Sequence, residues 1–171
     1  DVFFSGNQVS CRLFLNQGKM KFLDVTEQAG LFTNQWAEGV SLVDLNNDGF
    51  LDIYISVSSR EKDPTDPNLL FMHGGLDEKG LPVFEEKAAE YGIDDRGYNT
   101  QAQFFDYDRD GDLDLYILSN AMETFQRNTS RPREKGGKGK STDKLYRNNG
   151  DNTFTNVSEE AGILIEGYGL G

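Results

Sequence analysis

Asp44-Leu45-Asn46-Asn47-Asp48-Gly49-Phe50-Leu51-Asp52 and Asp106-Tyr107-Asp108-Arg109-Asp110-Gly111-Asp112-Leu113-Asp114 are two copies of one nine-residue pattern. Each places a carboxylate or amide oxygen at positions 1, 3, 5 and 9, and a glycine at position 6. Each runs straight into an apolar segment that reads as a strand, Ile53-Tyr54-Ile55-Ser56 or Leu115-Tyr116-Ile117-Leu118. Oxygens gathered by a tight turn suit a hard divalent cation. Calcium, which takes about 6–8 oxygen ligands in flexible geometry, is the first candidate. The expected side-chain ligands are Asp44, Asn46, Asp48 and Asp52 in one copy, and Asp106, Asp108, Asp110 and Asp114 in the other. Phe50 and Asp112, at position 7, are expected to contribute backbone carbonyls. The glycine at position 6 is expected at positive φ, where the sharp turn needs it.

The EF-hand, which shares the opening of this pattern, requires a Glu at position 12. That position holds Ile55 or Ile117 here, and both flanks read as strands, so the EF-hand is rejected. Turn chemistry alone would account for one such loop, since Asp, Asn and Gly are all turn residues. It does not account for two in register within a longer repeat. The clustered carboxylates of the second copy would also repel one another without a cation. Because Asp108 stands where the first copy has neutral Asn46, the second loop is expected to bind more tightly.

The longer repeat extends on both sides. Trp36 lies eight residues before Asp44, and Tyr98 eight before Asp106. Three strand-like segments, around Leu13-Phe14, Leu70-Phe71 and Leu145-Tyr146, each run to a Gly or Asn-Gly that reads as a turn. Each is followed by a Phe-containing segment, around Phe22, Phe84 and Phe154. Thr26-Glu-Gln-Ala-Gly30 and Ser158-Glu-Glu-Ala-Gly162 read as capped helical turns closed by glycine. Successive copies start about 57 and 75 residues apart, at Leu13, Leu70 and Leu145. Units of about four strands at this period are propeller blades, which bury their faces only by stacking. The repeats frame as 11–67, 68–142 and an incomplete 143–171, where Tyr168 and Gly171 align with Trp36 and Gly39. Starting at Asp1 without Met and stopping inside the third copy, the sequence reads as a stretch of a longer protein.

These residues carry a resemblance. Asp-Leu-Asn-Asn-Asp-Gly-Phe-Leu-Asp-Ile-Tyr-Ile and Asp-Tyr-Asp-Arg-Asp-Gly-Asp-Leu-Asp-Leu-Tyr-Ile, each behind an aromatic-led strand, resemble FG-GAP/VCBS repeats. The segment from Leu145 to Ile163 is similar to repeats of the ASPIC/UnbV and cartilage-acidic-protein group. The resemblance covers nearly the whole chain and implies an all-β, seven-bladed propeller of the integrin-α type. It further implies calcium in each hairpin loop, two ions in this sequence, and a secreted or cell-surface setting in which such modules serve adhesion or binding. Asn46 departs from the commoner Asp, a substitution the pattern tolerates. The family has no single activity, so the resemblance fixes fold better than function.

Composition narrows the rest. The formal net charge of -12 argues against nonspecific nucleic-acid binding. No apolar run approaches the roughly 18 residues of a membrane span. Cys11, the single cysteine, reads as a buried small hydrophobe. His73 is the single histidine, which excludes a His pair within the chain; no Ser-His-Asp set, CxxC pair or phosphate-cradling loop occurs. Asn128 and Asn156 head glycosylation sequons. Trp36, Tyr98 and Tyr168, sharing one repeat position, read as blade packing. The long segment from Asn120 to Asp143 is basic, with Arg127, Arg131, Arg133, Lys135, Lys138 and Lys140. By strand order it leaves the end opposite the acidic hairpin. Its Gly, Ser and Lys content favours a solvated insertion. Its cations make it the candidate contact for an anionic glycan, a lipid headgroup or an acidic protein. The sequence thus points to a calcium-binding scaffold for protein or glycan. The alternatives are a domain of a polysaccharide-active enzyme whose catalytic residues lie elsewhere, and a subunit of a cell-envelope complex.

Overall fold

Short apolar strands separated by Gly-, Asn- and Asp-containing turns form three antiparallel sheets in the computed structural model, which describes residues 1–58, 65–120, 132–167 and 169. Sheet 1 contains β1 (Val2–Phe4), β2 (Arg12–Asn16) and β3 (Phe22–Asp24). Sheet 2 contains β4 (Ala37–Val43), β5 (Asp52–Val57), β6 (Leu69–Leu76) and β7 (Pro82–Glu86), followed by the single-turn α1 (Ala88–Tyr91). Sheet 3 contains β8 (Asn99–Phe105), β9 (Asp114–Ser119), β10 (Lys144–Asn148) and β11 (Phe154–Asn156). In every sheet neighbours in space are neighbours in sequence. Each four-stranded sheet is therefore a meander, the arrangement of a propeller blade.

The sheets stack face to face, and strand alternation distributes residues between two cores. Along β5, Ile53, Ile55 and Val57 join Leu13, Val25 and Leu31 between sheets 1 and 2. Tyr54 points the other way, to Leu115, Ile117 and Tyr146 between sheets 2 and 3. A strand buried on both faces is what stacked units require, and all six residues of β5 are buried. Cys11 is fully buried in the first of these cores, as its apolar flanks imply. The innermost strands β4 and β8 approach so closely at Gly39 that a Cβ there would collide with the Thr100 carbonyl.

The repeat frame read from sequence opens at 11 and 68, just before β2, the second strand of three-stranded sheet 1, and β6, the third strand of four-stranded sheet 2. The hydrogen-bonded sheets instead open at β4 and β8, so the packing unit begins with the strand leading into each acidic hairpin. Two local readings are corrected. Gly74-Gly75 is not a turn: β6 continues through it to Leu76, with a register shift between His73 and Leu76, and the hairpin turns at Asp77 to Gly80. The Thr26 and Ser158 hydroxyls do not cap forward. They turn back to accept the backbone N–H of Leu13 (3.0 Å) and Leu145 (2.9 Å), fastening each turn to the preceding strand. Glu86 does the same for α1, accepting from Leu70 and Ala88. The turns themselves form as expected, closed by Gly30, Gly92 and Gly162 at φ 78°, 73° and 75°.

Candidate metal centre

Both nine-residue patterns form the loop of a β-hairpin, β4–β5 and β8–β9, with matching backbones. Position 6 is left-handed in each, Gly49 at φ 88° and Gly111 at φ 100°. Position 4 is left-handed too, Asn47 at 56° and Arg109 at 67°. Asn tolerates that conformation and Arg does so at a cost, so the second loop holds an unfavourable residue there. The position-1 carboxylate organises the turn from inside. Asp44 accepts the N–H groups of Asp48 (3.0 Å) and Gly49 (2.9 Å), and Asp106 those of Arg109 (2.6 Å) and Gly111 (3.2 Å).

Position 9 does more than the sequence reveals. Asp52 and Asp114 are completely buried at the first residue of their strands. One oxygen of each accepts the N–H of loop position 2, Leu45 (3.0 Å) or Tyr107 (2.9 Å). The other crosses to the third strand and accepts the N–H of His73 (2.8 Å) or Asn148 (2.9 Å). The carboxylate thus ties loop, second strand and third strand together. Asp1 makes the same bond in sheet 1, to Asn16 N–H at 2.8 Å, and Asp1-Val-Phe-Phe-Ser parallels Asp52-Ile-Tyr-Ile-Ser. That parallel is the signal by which sequence reading could have found Asp1.

Burial pushes the Asp52 and Asp114 carboxyls above their ordinary value, against the lowering effect of the N–H groups they accept. The other loop aspartates raise them further by repulsion. Asp48 is held below its ordinary value by the N–H of Phe50 and then by the Asn46 amide. The ionised position-9 group is therefore costly without a neighbouring cation, and a bound divalent ion would reverse the local balance.

In the second loop, one oxygen each of Asp106, Asp108 and Asp114 lie within 4.8 Å of one another. Oxygens on opposite sides of a calcium ion are about 4.6–5.2 Å apart, twice the Ca–O distance, so three oxygens no further apart than 4.8 Å can all reach one ion. The donors are all hard oxygens with no thiolate or imidazole among them, which matches calcium and not zinc. Asp110 and Asp112 stand outside the cluster; Asp110 accepts the N–H of Asp112 at 3.0 Å. In the first loop Asn46 donates its amide to Asp48 at 2.9 Å. Phe50 stacks on His73, with ring centroids 4.5 Å apart, and His73 meets Phe84 edge-on at 4.7 Å. The single histidine is thus a packing element of the hairpin.

The basic insertion follows β9 and leaves from the end opposite the acidic loop. Arg127 and Arg131 lie outside the described residues. Arg133, Lys135 and Lys138 are exposed, while Lys140 is half-buried with Nζ 5.7 Å from the Tyr98 ring centroid. Within this segment Glu134 accepts the backbone N–H groups of Gly136 (2.7 Å), Lys138 (2.9 Å) and Gly139 (2.9 Å). Those bonds hold the Glu134 carboxyl below its ordinary value.

At this same end a polar network absent from the sequence reading joins sheets 2 and 3. Asp95 accepts Lys144 Nζ (2.5 Å), Tyr146 Oη (2.8 Å) and Asn99 Nδ2 (2.9 Å). Asn99 Nδ2 also donates to Asn68, which in turn donates to Tyr54 Oη.

Stacked four-stranded meanders with matching hairpin loops define a β-propeller-like repeat module. Residues 1–55 match the family model described as FG-GAP-like repeat, which supports a repeat of the FG-GAP/VCBS type in that part of the chain. The matched segment includes the first acidic loop, and the second loop reproduces its backbone. The match does not reach the ASPIC/UnbV and cartilage-acidic-protein subgroup. No curated protein matches the chain significantly. No helix among the described residues is long and apolar enough to cross a membrane.

Proposed function

We propose that the chain is a calcium-stabilised binding or scaffold module acting outside the cell or at its surface. Each acidic hairpin takes one Ca2+ ion, held by Asp44, Asn46, Asp48, Asp52 and the Phe50 carbonyl in the first, and by Asp106, Asp108, Asp110, Asp114 and the Asp112 carbonyl in the second. The carrying observation is the convergence of the Asp106, Asp108 and Asp114 carboxylates, one of them buried, with an oxygen of each within 4.8 Å of the others. The ion's role is architectural. It neutralises carboxylates that fasten three strands and leaves recognition to the opposite end. There the exposed Arg133, Lys135 and Lys138 suit an acidic protein or an anionic glycan.

Thermal unfolding tests the metal reading. Adding calcium to EDTA-stripped protein raises Tm, Asp108→Asn reduces the rise, and magnesium substitutes poorly because it retains its waters. An unchanged Tm would sink the proposal. A glycan array and affinity capture with the intact protein test the partner reading. Binding that survives charge reversal at Arg133, Lys135 and Lys138 would move recognition elsewhere.

A further inference from the structure

We infer that the cavity between the basic insertion and the end of β11 is a sugar site, where the Thr142 hydroxyl holds one ring of an acidic glycan. This site rests on the recognition end proposed above and chooses the glycan over the acidic protein. The cavity, of about 240 Å³, lies between residues 136–139 of the insertion on one side and Asn156, Ser158 and Glu159 on the other, with Thr142 and Asp143 joining the two. All of these walls belong to sheet 3 and its own connections, so the cavity forms without a neighbouring sheet. Its volume is that of about eight waters at about 30 Å³ each, which is room for one sugar ring.

Thr142 is the residue that points to a ligand. It is 4% exposed, and its Oγ1 has no hydrogen-bond partner among the described residues. The hydroxyl faces Gly139, another wall of the cavity, where a Cβ would lie 2.9 Å from it. Buried polar groups in native structures are normally satisfied, and a threonine hydroxyl both donates and accepts, as a sugar hydroxyl does. The groups around it are already fixed. Ser158 Oγ donates to Asn156 Oδ1 at 2.7 Å, and Asp143 accepts Tyr116 Oη and the Ser119 N–H, both at 2.9 Å. The insertion is tied down as well: Gly137 N–H donates to the Leu164 carbonyl, Glu166 N–H to that of Glu134, and Gly167 N–H to that of Ser141, each at 2.9 Å. A site whose walls are set in advance binds without the cost of ordering them.

Charge selects an acidic ring. Lys144 gives its ammonium to Asp95 at 2.5 Å, whereas Lys138 lines the cavity and is exposed, with exposed Lys135 three residues away. A carboxylate or sulfate on the ring meets Lys138, and the ring hydroxyls meet Thr142 and the exposed Glu159 carboxylate.

Amide NMR titration of the 171-residue protein in calcium tests this, with galacturonate trisaccharide and a heparin-derived tetrasaccharide as probes and neutral maltotetraose as control. At least one acidic probe is expected to shift the Gly137, Gly139, Thr142 and Ser158 amides at concentrations where maltotetraose does not. Thr142→Val removes a hydroxyl that bonds to nothing in the free protein, so Tm should not fall, while Kd for that probe rises about 5–10-fold. Circular dichroism checks that the variant is folded. The absence of shifts at these amides with either acidic probe overturns the inference, as do equal shifts with maltotetraose. Shifts confined to Arg133, Lys135 and Lys138 and unchanged in Thr142→Val also overturn it, while leaving the cationic recognition surface in place. Binding weakened by Thr142→Val but kept on charge reversal at Arg133 and Lys135 supports the cavity and removes that wider surface.

Discussion

Asp114→Ala separates the structural role of position 9 from its role as a ligand. In calcium-free buffer the substitution orphans two N–H groups, those of Tyr107 and Asn148, each now held at 2.9 Å by a buried carboxylate. Hydrogen bonds to a charged partner contribute about 1.5–3 kcal/mol each. The sum is partly offset by relief of the desolvation that raises the Asp114 pKa. A net loss of about 3 kcal/mol results, or about 6–12 °C in Tm for a chain of this size. Asp108→Ala is the control. Its carboxylate is exposed and accepts one long bond, from Asp110 at 3.3 Å, so calcium-free stability changes by no more than about 0.5 kcal/mol. In calcium both variants lose the metal-dependent gain. Urea and thermal unfolding in EDTA and in calcium give the four values needed. If calcium-free Asp114→Ala melted with the wild type, the three-strand tie would carry no energy and the reasoning would be refuted.

Other outcomes follow from the same geometry. Asp95→Ala strands Lys144 Nζ, Tyr146 Oη and Asn99 Nδ2 at the junction of sheets 2 and 3, and urea unfolding should show a loss of about 2–4 kcal/mol, reduced from the fully buried limit because Lys144 is 28% exposed. By contrast, breaking the exposed Arg12–Asp24 pair with Arg12→Ala should change stability by less than about 0.5 kcal/mol. Gly92→Ala forces a side chain to φ 73° and 3.3 Å from the Phe154 carbonyl, so a loss of about 1–2 kcal/mol is expected in the same assay. The pH dependence has a definite sign. Asp52 and Asp114 have folded-state values above their ordinary value of 3.8, so in calcium-free protein their ionisation costs stability at neutral pH. That cost fades as pH falls through the folded-state values toward 3.8. Protons and calcium compete for these oxygens, so the calcium-induced rise in Tm should shrink over that window; a rise that is constant down to 3.8 would contradict it.

The hairpin loops were legible because their chemistry is local. Oxygen spacing, the glycine at position 6 and the apolar run after position 9 all lie within one short segment, and the positive φ of Gly49 and Gly111 follows directly. Stacking was legible because units of about four strands at this period bury their faces only against neighbouring units, and Ile53–Val57 is accordingly buried on both faces. The tie made by Asp52 and Asp114 was not. A carboxylate at a strand's first residue reads as a ligand until its burial and its partners on another strand are seen. Long-range pairing also hid the Asp95 network, whose members come from three separate segments. Gly74-Gly75 misled because a glycine pair reads as a turn, whereas here it relieves a register shift inside β6.

The central claim is that the two acidic hairpins are calcium sites. Isothermal titration of EDTA-stripped protein with calcium tests it most directly. The account predicts uptake of two ions, the tighter at the Asp106–Asp114 loop, with Asp108→Asn weakening that phase and leaving the other unchanged. No heat and no uptake, or two phases untouched by Asp108→Asn, would contradict it.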